Sequence, residues 1–370
     1  MRQALIAARK RTLAQAAQWS TALGPDMRVP CDPGLNLPLW ELGHIGWFQE
    51  YWIGRNRQRS LGVACDPGAA RLPSALPHAD ALYDSSHVPH RSRWDLALPD
   101  ADATQAFLRS TLAQTLDLLD SLPDRATHSD LYFFRLVALH EEMHAEAGAY
   151  MARGQGLPVV STAPAPAHQH QHGMISIPAQ SFMQGHAGLG FAFDNELGAH
   201  EVAIKPYEID ASPVTWSRFQ QFIEAGGYDE QRWWNEEGWQ WKQASRRTSP
   251  ARDLMAPSST AVHLSAYEAE AWCRWAGRRL PTESEWECAA ITAPGFNWGS
   301  AWEWTATCFE PYAGFVAHPY RDYSQPWFGT RRVLKGACDA TARTLAHPRY
   351  RNFFEPGRSD IFAGFRSCSA

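Results

Sequence analysis

The chain lacks the features that mark membrane, secreted and nucleic-acid-binding proteins. No stretch reaches the roughly 18 consecutive apolar residues that a membrane-spanning helix needs. Basic residues do not cluster and the net charge is −5, which argues against nucleic acid as a partner. The seven cysteines are an odd, scattered set and do not suggest a disulfide framework. Residues 1–19 lack an apolar core, so we expect an amphipathic helix, no signal peptide and a cytoplasmic location.

Helices dominate the predicted first domain, residues 1–153. The 370 residues suffice for two domains. Composition and apolar spacing predict helices over residues 2–23, 39–53 and 103–121, with a fourth around 136–151 and a long loop over 62–99. Four helices with one long crossover are typical of a four-helix bundle.

The second half of the chain differs from the first in composition and in its hydrophobic pattern. Residues 154–172 are predicted to be a Pro- and Ala-rich linker, and His168, His170 and His172 within it are interpreted as solvated rather than metal-binding. Short strand-like runs follow at 174–185 and 200–209, and a helix is predicted over 265–276 with Ser265 and Glu268 as a capping box. Residues 173–370 are therefore predicted to be one domain with little regular secondary structure, in an α+β chain.

Three histidines in the predicted bundle could share a metal ion. His140 and His144 are four residues apart, which places them on one face of a helix, and His44 lies on another helix of the same bundle. Neutral imidazoles suit Zn, Fe, Ni or Cu and leave positions open for substrate. Carboxylates that could orient the rings follow in the sequence: Glu50, Glu141, Glu142 and Glu146.

The motifs together resemble a known family. In the first half these are the His44 helix and the His140–His144 helix. In the second half they are Asp194-Asn195-Glu196, WAGRRLPTESEWE at 275–287, WEWT at 302–305, Arg351-Asn352 and Gly364-Phe365-Arg366. The chain resembles the ergothioneine-type sulfoxide synthases, in which a DinB-like four-helix bundle precedes a domain of the formylglycine-generating-enzyme and C-type-lectin-like kind that caps the active site.

The resemblance implies an iron(II)- and O2-dependent oxidoreductase. It places iron on His44, His140 and His144, and it implies that a chalcogen donor is joined to the imidazole C2 of hercynine, the trimethylated betaine of histidine. Asn352 would lie at the hercynine pocket, and the adjacent Phe353 would be among the substrate-binding residues. The expected partners are small molecules, with neither nucleic acid nor a membrane, and the oligomeric state stays open.

Departures from the family pattern concern the donor. An acidic residue that helps to hold γ-glutamylcysteine is replaced by Phe354, while Arg358 is retained and Arg93 corresponds to a donor-loop arginine, with Arg91 as a second candidate. Met143 stands where a polar hercynine contact is common. These features resemble the selenoneine-synthase branch, whose donor is a selenosugar and whose product is a hercynyl selenoxide. The alternative is an ergothioneine- or ovothiol-type synthase that uses cysteine or γ-glutamylcysteine.

The proton donor and two competing functions complete the interpretation. The family uses a tyrosine of the second domain, for which Tyr312 is preferred and Tyr323 is the other candidate. A formylglycine-generating oxidase is rejected, because no cysteine lies between Cys338 and Cys368, where its reactive pair would be required. A non-catalytic, lectin-like binding module is disfavoured by the three histidines.

Overall fold

The computed structural model describes residues 1–157, 173–188, 190–250 and 256–370. The chain divides into two compact units. The first unit is Met1–Ala163 together with Ala317–Tyr323, and the second unit is Pro164–Val316 together with Ser324–Ala370. The predicted 173–370 domain is thus interrupted by a seven-residue segment, 317–323, that belongs by its contacts to the first unit.

The first unit is built from helices, as predicted. Its α-helices are α1 (Arg2–Leu23), α2 (Pro38–Gln49), α3 (Ala79–Tyr83), α4 (Ala101–Asp120) and α5 (His128–Gly154). A π-helical turn, Glu50–Gly54, continues α2, and 3-10 turns lie at Arg59–Ala64 and His90–Trp94. The long loop predicted over 62–99 therefore contains α3 and short 3-10 turns.

Helix capping and small residues set the positions of these helices. Thr127 and Asp130 form a capping box at the start of α5, and Asp100 accepts from the Ala103 amide at the start of α4. Gly43 lets α2 approach α3, because a Cβ there would clash with the ring of Tyr83. The long helices pack around an apolar core that includes Trp19, Met27, Leu39, Leu42, Ile45, Leu108 and Met151.

The second unit combines short strands with short helices. Its helices are α6 (Trp216–Glu224), α7 (Glu236–Ala244), α8 (Ala266–Trp275) and α9 (Glu283–Thr292). Its strands are β1 (Met174–Ile177), β2 (Gln180–Gln184), β3 (His200–Ile204), β4 (Tyr207–Asp210), β5 (Arg278–Arg279), β6 (Ala301–Cys308), β7 (Arg332–Ala337), β8 (Asn352–Phe354), β9 (Ala363–Gly364) and β10 (Cys368–Ser369). The strand-like runs at 174–185 and 200–209 are thus confirmed, as is the capping box of Ser265 and Glu268.

Three sheets organise the described part of this unit. Their strand orders are β1-β4-β10-β5, β2-β3 and β8-β7-β6-β9. In the third sheet β7 pairs antiparallel with both β6 and β8, and β9 joins parallel to β6. The register places Glu303 opposite Lys335, both fully buried. No helix of the described residues is long and apolar enough to cross a membrane.

Candidate active site

Three histidine side chains of the first unit converge on one point. His44 is carried by α2, and His140 and His144 by successive turns of α5. One ring nitrogen from each lies within 4.8 Å of the others, and Nε2 of His140 is 3.1 Å from Nε2 of His144. We call these residues the histidine cluster. Within the described ranges it is the one group of three or more His, Cys, Asp or Glu side chains found close enough to share a metal ion.

Aromatic packing and a backbone carbonyl fix two of the rings. Nδ1 of His44 lies 2.8 Å from the carbonyl oxygen of Tyr83, so Nδ1 carries the proton and Nε2 offers its lone pair. The same ring stacks on Trp40 at a centroid distance of 4.9 Å. The ring of His140 stacks on Phe48 at 3.5 Å, within 5° of parallel. The two imidazoles are therefore held in single orientations before any ligand binds.

A carboxylate that the sequence interpretation did not select orients the third ring. Oε2 of Glu41 forms a short hydrogen bond with Nδ1 of His144. The carboxylates predicted for this task are engaged elsewhere: Glu50 accepts from Ser74 and from the Ala75 amide, and Glu141 pairs with Arg9. Glu142 pairs with Arg11 at 2.8 Å, so these three predictions are wrong. The available signal was the spacing of Glu41, one turn before His44 on the same helix.

Burial keeps two members of the cluster neutral. Desolvation lowers the pKa of His44 to about 3 and, with the neighbouring histidines, lowers the pKa of His140 well below its ordinary value. Neutral imidazole is the form that binds a metal. Three nitrogen donors without a carboxylate among them fit a divalent transition metal and leave coordination positions open. The donor set thus fits the metal that the resemblance implies.

Arg93, predicted to bind the donor, lies near the cluster in the same unit. Its guanidinium carbon is 3.7 Å from the ring centroid of Trp40, the residue that stacks on His44. Its Nη1 donates to Oδ1 of Asn36 at 2.7 Å. Its Nε is buried without a hydrogen-bond partner among the described residues. Such an orphaned donor is costly unless a ligand satisfies it.

The segment 317–323 brings a tyrosine that the sequence interpretation passed over. The ring of Tyr320 lies 6.0 Å from that of His140 and 4.9 Å from that of Phe48. The segment is held by a 3.1 Å contact of His318 Nδ1 with the Tyr132 hydroxyl. Burial raises the pKa of Tyr320, so the phenol keeps its proton at neutral pH. The other tyrosine of this segment, Tyr323, packs its ring 6.0 Å from that of Tyr320.

Tyr312, the preferred candidate for proton donor, lies in the second unit. Its hydroxyl donates to Oε1 of Glu283 at 2.7 Å and accepts from Nε2 of Gln184 at 2.9 Å. The guanidinium of Arg351 lies 4.0 Å from its ring centroid and also binds Glu283. Burial and the Glu283 carboxylate raise the pKa of Tyr312 well above its ordinary value.

The remaining predicted substrate residues lie together on and after β8. Oδ1 of Asn352 accepts from the amide of Phe353, and the Phe353 ring stacks on Phe309 at 4.1 Å. The guanidinium of Arg358 lies 5.3 Å from the ring of Phe354, and it makes two 2.6 Å bonds to Asp360. The structure therefore brings Asn352, Phe353, Phe354 and Arg358 into one region of the second unit, and Arg93 to the histidine cluster in the first.

Met143 and the histidines of the predicted linker are two further sequence predictions. Met143 is half-buried on α5, between His140 and His144 in sequence. Residues 158–172 of the predicted linker, with His168, His170 and His172, lie outside the described residues.

Two domain families match this chain, one in each half. The DinB superfamily profile matches residues 3–147, and the sulfatase-modifying factor enzyme 1-like domain matches residues 160–300. This pair of domains, with a three-histidine cluster in the first, defines an enzyme of the ergothioneine-type sulfoxide synthase superfamily.

Full-length relatives give the family. The hercynine oxygenase of Mycolicibacterium thermoresistibile is 31% identical, over 98% of this chain and 93% of the relative. That of Mycobacterium tuberculosis is 33% identical, over 90% and 91%, and that of Mycolicibacterium smegmatis is 31% identical, over 98% and 96%. The chain therefore belongs to the hercynine oxygenase family, and it is an oxidoreductase.

Proposed function

We propose that this protein is a non-haem iron(II), O2-dependent synthase that joins the selenium of a selenosugar to the imidazole C2 of hercynine. The product is a hercynyl selenoxide, on the route to selenoneine. The observation that carries the proposal is the histidine cluster, three converging imidazoles in a chain whose full-length relatives are hercynine oxygenases.

The reaction balances without a further reductant. The C2–Se bond forms while the C2–H bond of hercynine and the Se–H bond of the donor break. One oxygen atom of O2 becomes the selenoxide oxygen, and the other leaves as water with the two hydrogens. Hercynine and the selenol together supply the four electrons that reduce O2.

The residues of the first unit would hold the iron and shield it from water. His44, His140 and His144 offer ring nitrogens, and bound iron supplies the one-electron chemistry that O2 requires. Trp40 and Phe48 stack on two of these rings and keep their orientation fixed. An apolar aromatic surround also lowers the local dielectric and excludes competing solvent.

Asn352 and its neighbours support the assignment of hercynine. The oxygen of Asn352 is taken by the Phe353 amide, which leaves its NH2 group to donate to a ligand such as an imidazole nitrogen. Phe353 and Phe354 add aromatic faces, which attract a quaternary ammonium group. Met143 offers an apolar side chain where the family resemblance implies a polar hercynine contact.

The preference for a selenosugar rests on the surroundings of Arg358. Its charge is matched by Asp360 through two 2.6 Å bonds, so a donor carboxylate would have to compete with a carboxylate of the chain. Phe354 provides an aromatic face instead of the anion that a donor ammonium group would need. A neutral sugar ring makes neither demand and can pack against that face.

A tyrosine would supply the proton that O2 reduction consumes. Tyr312 stays a prediction, and its hydroxyl is shared by Glu283 and Gln184. Tyr320 is supported as the stronger candidate because its ring lies beside His140 in the first unit. The raised pKa of Tyr320, which follows from burial, keeps the proton on its hydroxyl oxygen at neutral pH.

Donor competition tests the proposal. The protein is given hercynine, iron(II), O2 and equal concentrations of a selenosugar, cysteine and γ-glutamylcysteine, and the products are separated by mass. We expect the selenoxide to predominate. Phe354→Asp should move the product ratio toward the amino-acid thiols by about 10-fold or more, the value of one charge-assisted hydrogen bond. Phe354→Leu, which adds no charge, is the matched control.

Two outcomes would count against this assignment. Sulfoxide as the main product of the unmodified protein would favour an ergothioneine- or ovothiol-type synthase and leave the iron site intact. Full activity after removal of iron, or with iron replaced by zinc, would overturn the metal assignment itself.

A further inference from the structure

The strongest unassigned feature of the first unit is a chain of hydrogen bonds that ends on a ring of the histidine cluster. Oε2 of Glu41 bonds Nδ1 of His144, and Oε1 of the same carboxylate bonds Nδ2 of Asn36. Oδ1 of Asn36 accepts from Nη1 of Arg93 at 2.7 Å. Both oxygens of Glu41 are thus occupied, and the carboxylate has a single orientation.

The chemistry of the end members fixes the proton positions along this chain. Arginine only donates and an ionised carboxylate only accepts, so Asn36 must turn its oxygen to Arg93 and its NH2 to Glu41. For the same reason Nδ1 of His144 must carry the proton that it shares with Glu41. The lone pair of His144 therefore lies on Nε2, the atom that is 3.1 Å from Nε2 of His140.

Glu41 is buried, with 3% of its surface exposed. Its two oxygens are satisfied by Nδ1 of His144 and Nδ2 of Asn36, which offsets the cost of that burial. Arg93 is itself anchored, through Trp40 at 3.7 Å and the Val88 carbonyl at 3.4 Å.

We propose that Glu41 is a positioning residue of the metal centre, which fixes the tautomer and ring orientation of His144 and strengthens its Nε2 as a donor. Asn36 and Arg93 hold Glu41 in place, so the arginine predicted to meet the donor is linked to a metal ligand by three hydrogen bonds. The inference rests on the proposed function, because it takes the histidine cluster to be a metal site.

Metal binding without turnover tests the role. Cobalt(II) is titrated anaerobically into the full chain, and its affinity and visible absorption spectrum are recorded for the unmodified protein, Glu41→Gln and Glu41→Ala. We expect Glu41→Gln to weaken cobalt binding by about 10-fold and Glu41→Ala by up to about 100-fold, the range for residues that orient a metal-binding histidine. The spectrum of bound cobalt should change in both.

Glu50→Gln is the matched control. Glu50 is also a buried carboxylate and follows directly on α2, but it bonds Ser74 and the Ala75 amide and no histidine. Its substitution should leave the cobalt affinity within about two-fold and the spectrum unchanged. The nitrogen NMR shifts of His144 in the metal-free protein give a second readout: Nδ1 should be protonated, and more weakly bonded in Glu41→Gln.

The possible failures are distinguishable. Unchanged cobalt affinity and spectrum in both Glu41 variants would overturn the role of Glu41, as would an equal loss in Glu50→Gln. Absence of cobalt and iron binding by the unmodified protein would instead overturn the metal site of the proposed function. If Glu41→Ala does not fold, Glu41→Gln and the NMR shifts decide the question.

Discussion

The histidine cluster of the first unit and the buried ion pairs of the second unit hold polar groups in opposite ways. Around the histidine cluster, burial lowers the pKa of His44 and His140, and hydrogen bonds at Nδ1 of His44 and His144 leave Nε2 as the ligand atom of those rings. In the second unit, buried cations are closed off by carboxylates, as in Arg366 with Glu303 at 2.5 Å and Lys335 with Glu287 at 2.9 Å. Oriented lone pairs can bind a ligand, whereas matched charges mainly hold short strands and loops together.

Substitution of a histidine of the histidine cluster should have the largest effect on activity. We expect His44→Ala, His140→Ala and His144→Ala each to lose iron binding and to lower activity by about 1,000-fold or more, the several kcal/mol that a catalytic metal supplies. The fold should persist, because the apolar core that holds the helices together does not include these three side chains. Anaerobic iron titration and circular dichroism measure the two effects. His128→Ala, at an exposed position at the start of α5, is the control, and stoichiometric iron binding by all three variants would contradict the assignment.

Substitution of a buried cation in the second unit should instead lower the stability of the protein. Arg366→Met leaves the carboxylate of Glu303 buried and uncompensated, so we expect a loss of about 3–5 kcal/mol in the free energy of unfolding. Arg2→Met, which breaks an exposed pair with Asp120, should cost less than about 1 kcal/mol. Denaturant unfolding compares the two. Equal losses would show that the buried pair is not the stronger support.

Substitution of Tyr320 should lower activity, whereas substitution of Tyr312 should lower stability. Tyr320→Phe should lower kcat by about 100-fold without changing iron affinity, as expected for loss of a proton donor. Tyr312→Phe should destabilise the protein by about 1–3 kcal/mol, because it removes a hydrogen bond to the buried carboxylate of Glu283. Single-turnover kinetics and unfolding measurements give both numbers. A larger fall in kcat for Tyr312→Phe would return the role to Tyr312.

A change of pH should have a more modest effect, on the stability of the second unit. Burial raises the pKa of Glu196 to about 8, and burial lowers that of His347, whose Nε2 is 3.4 Å away, to about 4. The folded state holds the Glu196 proton more tightly than the unfolded chain, so stability falls as pH rises toward 8. His347 has the opposite slope, which ends at its ordinary pKa of 6.5. The net loss, about 2 kcal/mol, should fall between pH 6.5 and 8.

A single substitution checks this pH effect. The glutamine of the Glu196→Gln variant cannot ionise. The free energy of unfolding of this variant should therefore not fall between pH 6.5 and 8. The same slope in the variant and in the unmodified protein would assign the effect to another group.

The sequence predicts the two units unequally well. In the first unit the bounds of α1 are predicted correctly, and the histidine cluster is found, because helical period places His140 and His144 on one face. In the second unit, the sequence predicts the first strands and α8. It does not predict the short later strands, such as β9, because they depend on pairing partners far along the chain. Local pattern cannot reveal such pairing.

Partner choice between side chains is the part that sequence reasoning misses. Glu50, Glu141 and Glu41 all lie near the histidines in sequence, and which of them faces a ring depends on how α2 and α5 pack. Tyr320 was overlooked for a similar reason, since its segment is separated by more than 150 residues from the helices it contacts. Long-range packing decides both, and period or composition does not encode it.

Isotope labelling follows the atoms of the proposed reaction directly. The iron-loaded protein is supplied with hercynine deuterated at C2, a selenosugar and 18O2, and the mass of the product is measured by mass spectrometry. We expect a hercynyl selenoxide that has lost the C2 deuterium and gained one 18O atom. A product that retains the deuterium, or that contains no atom from O2, would contradict the proposed reaction.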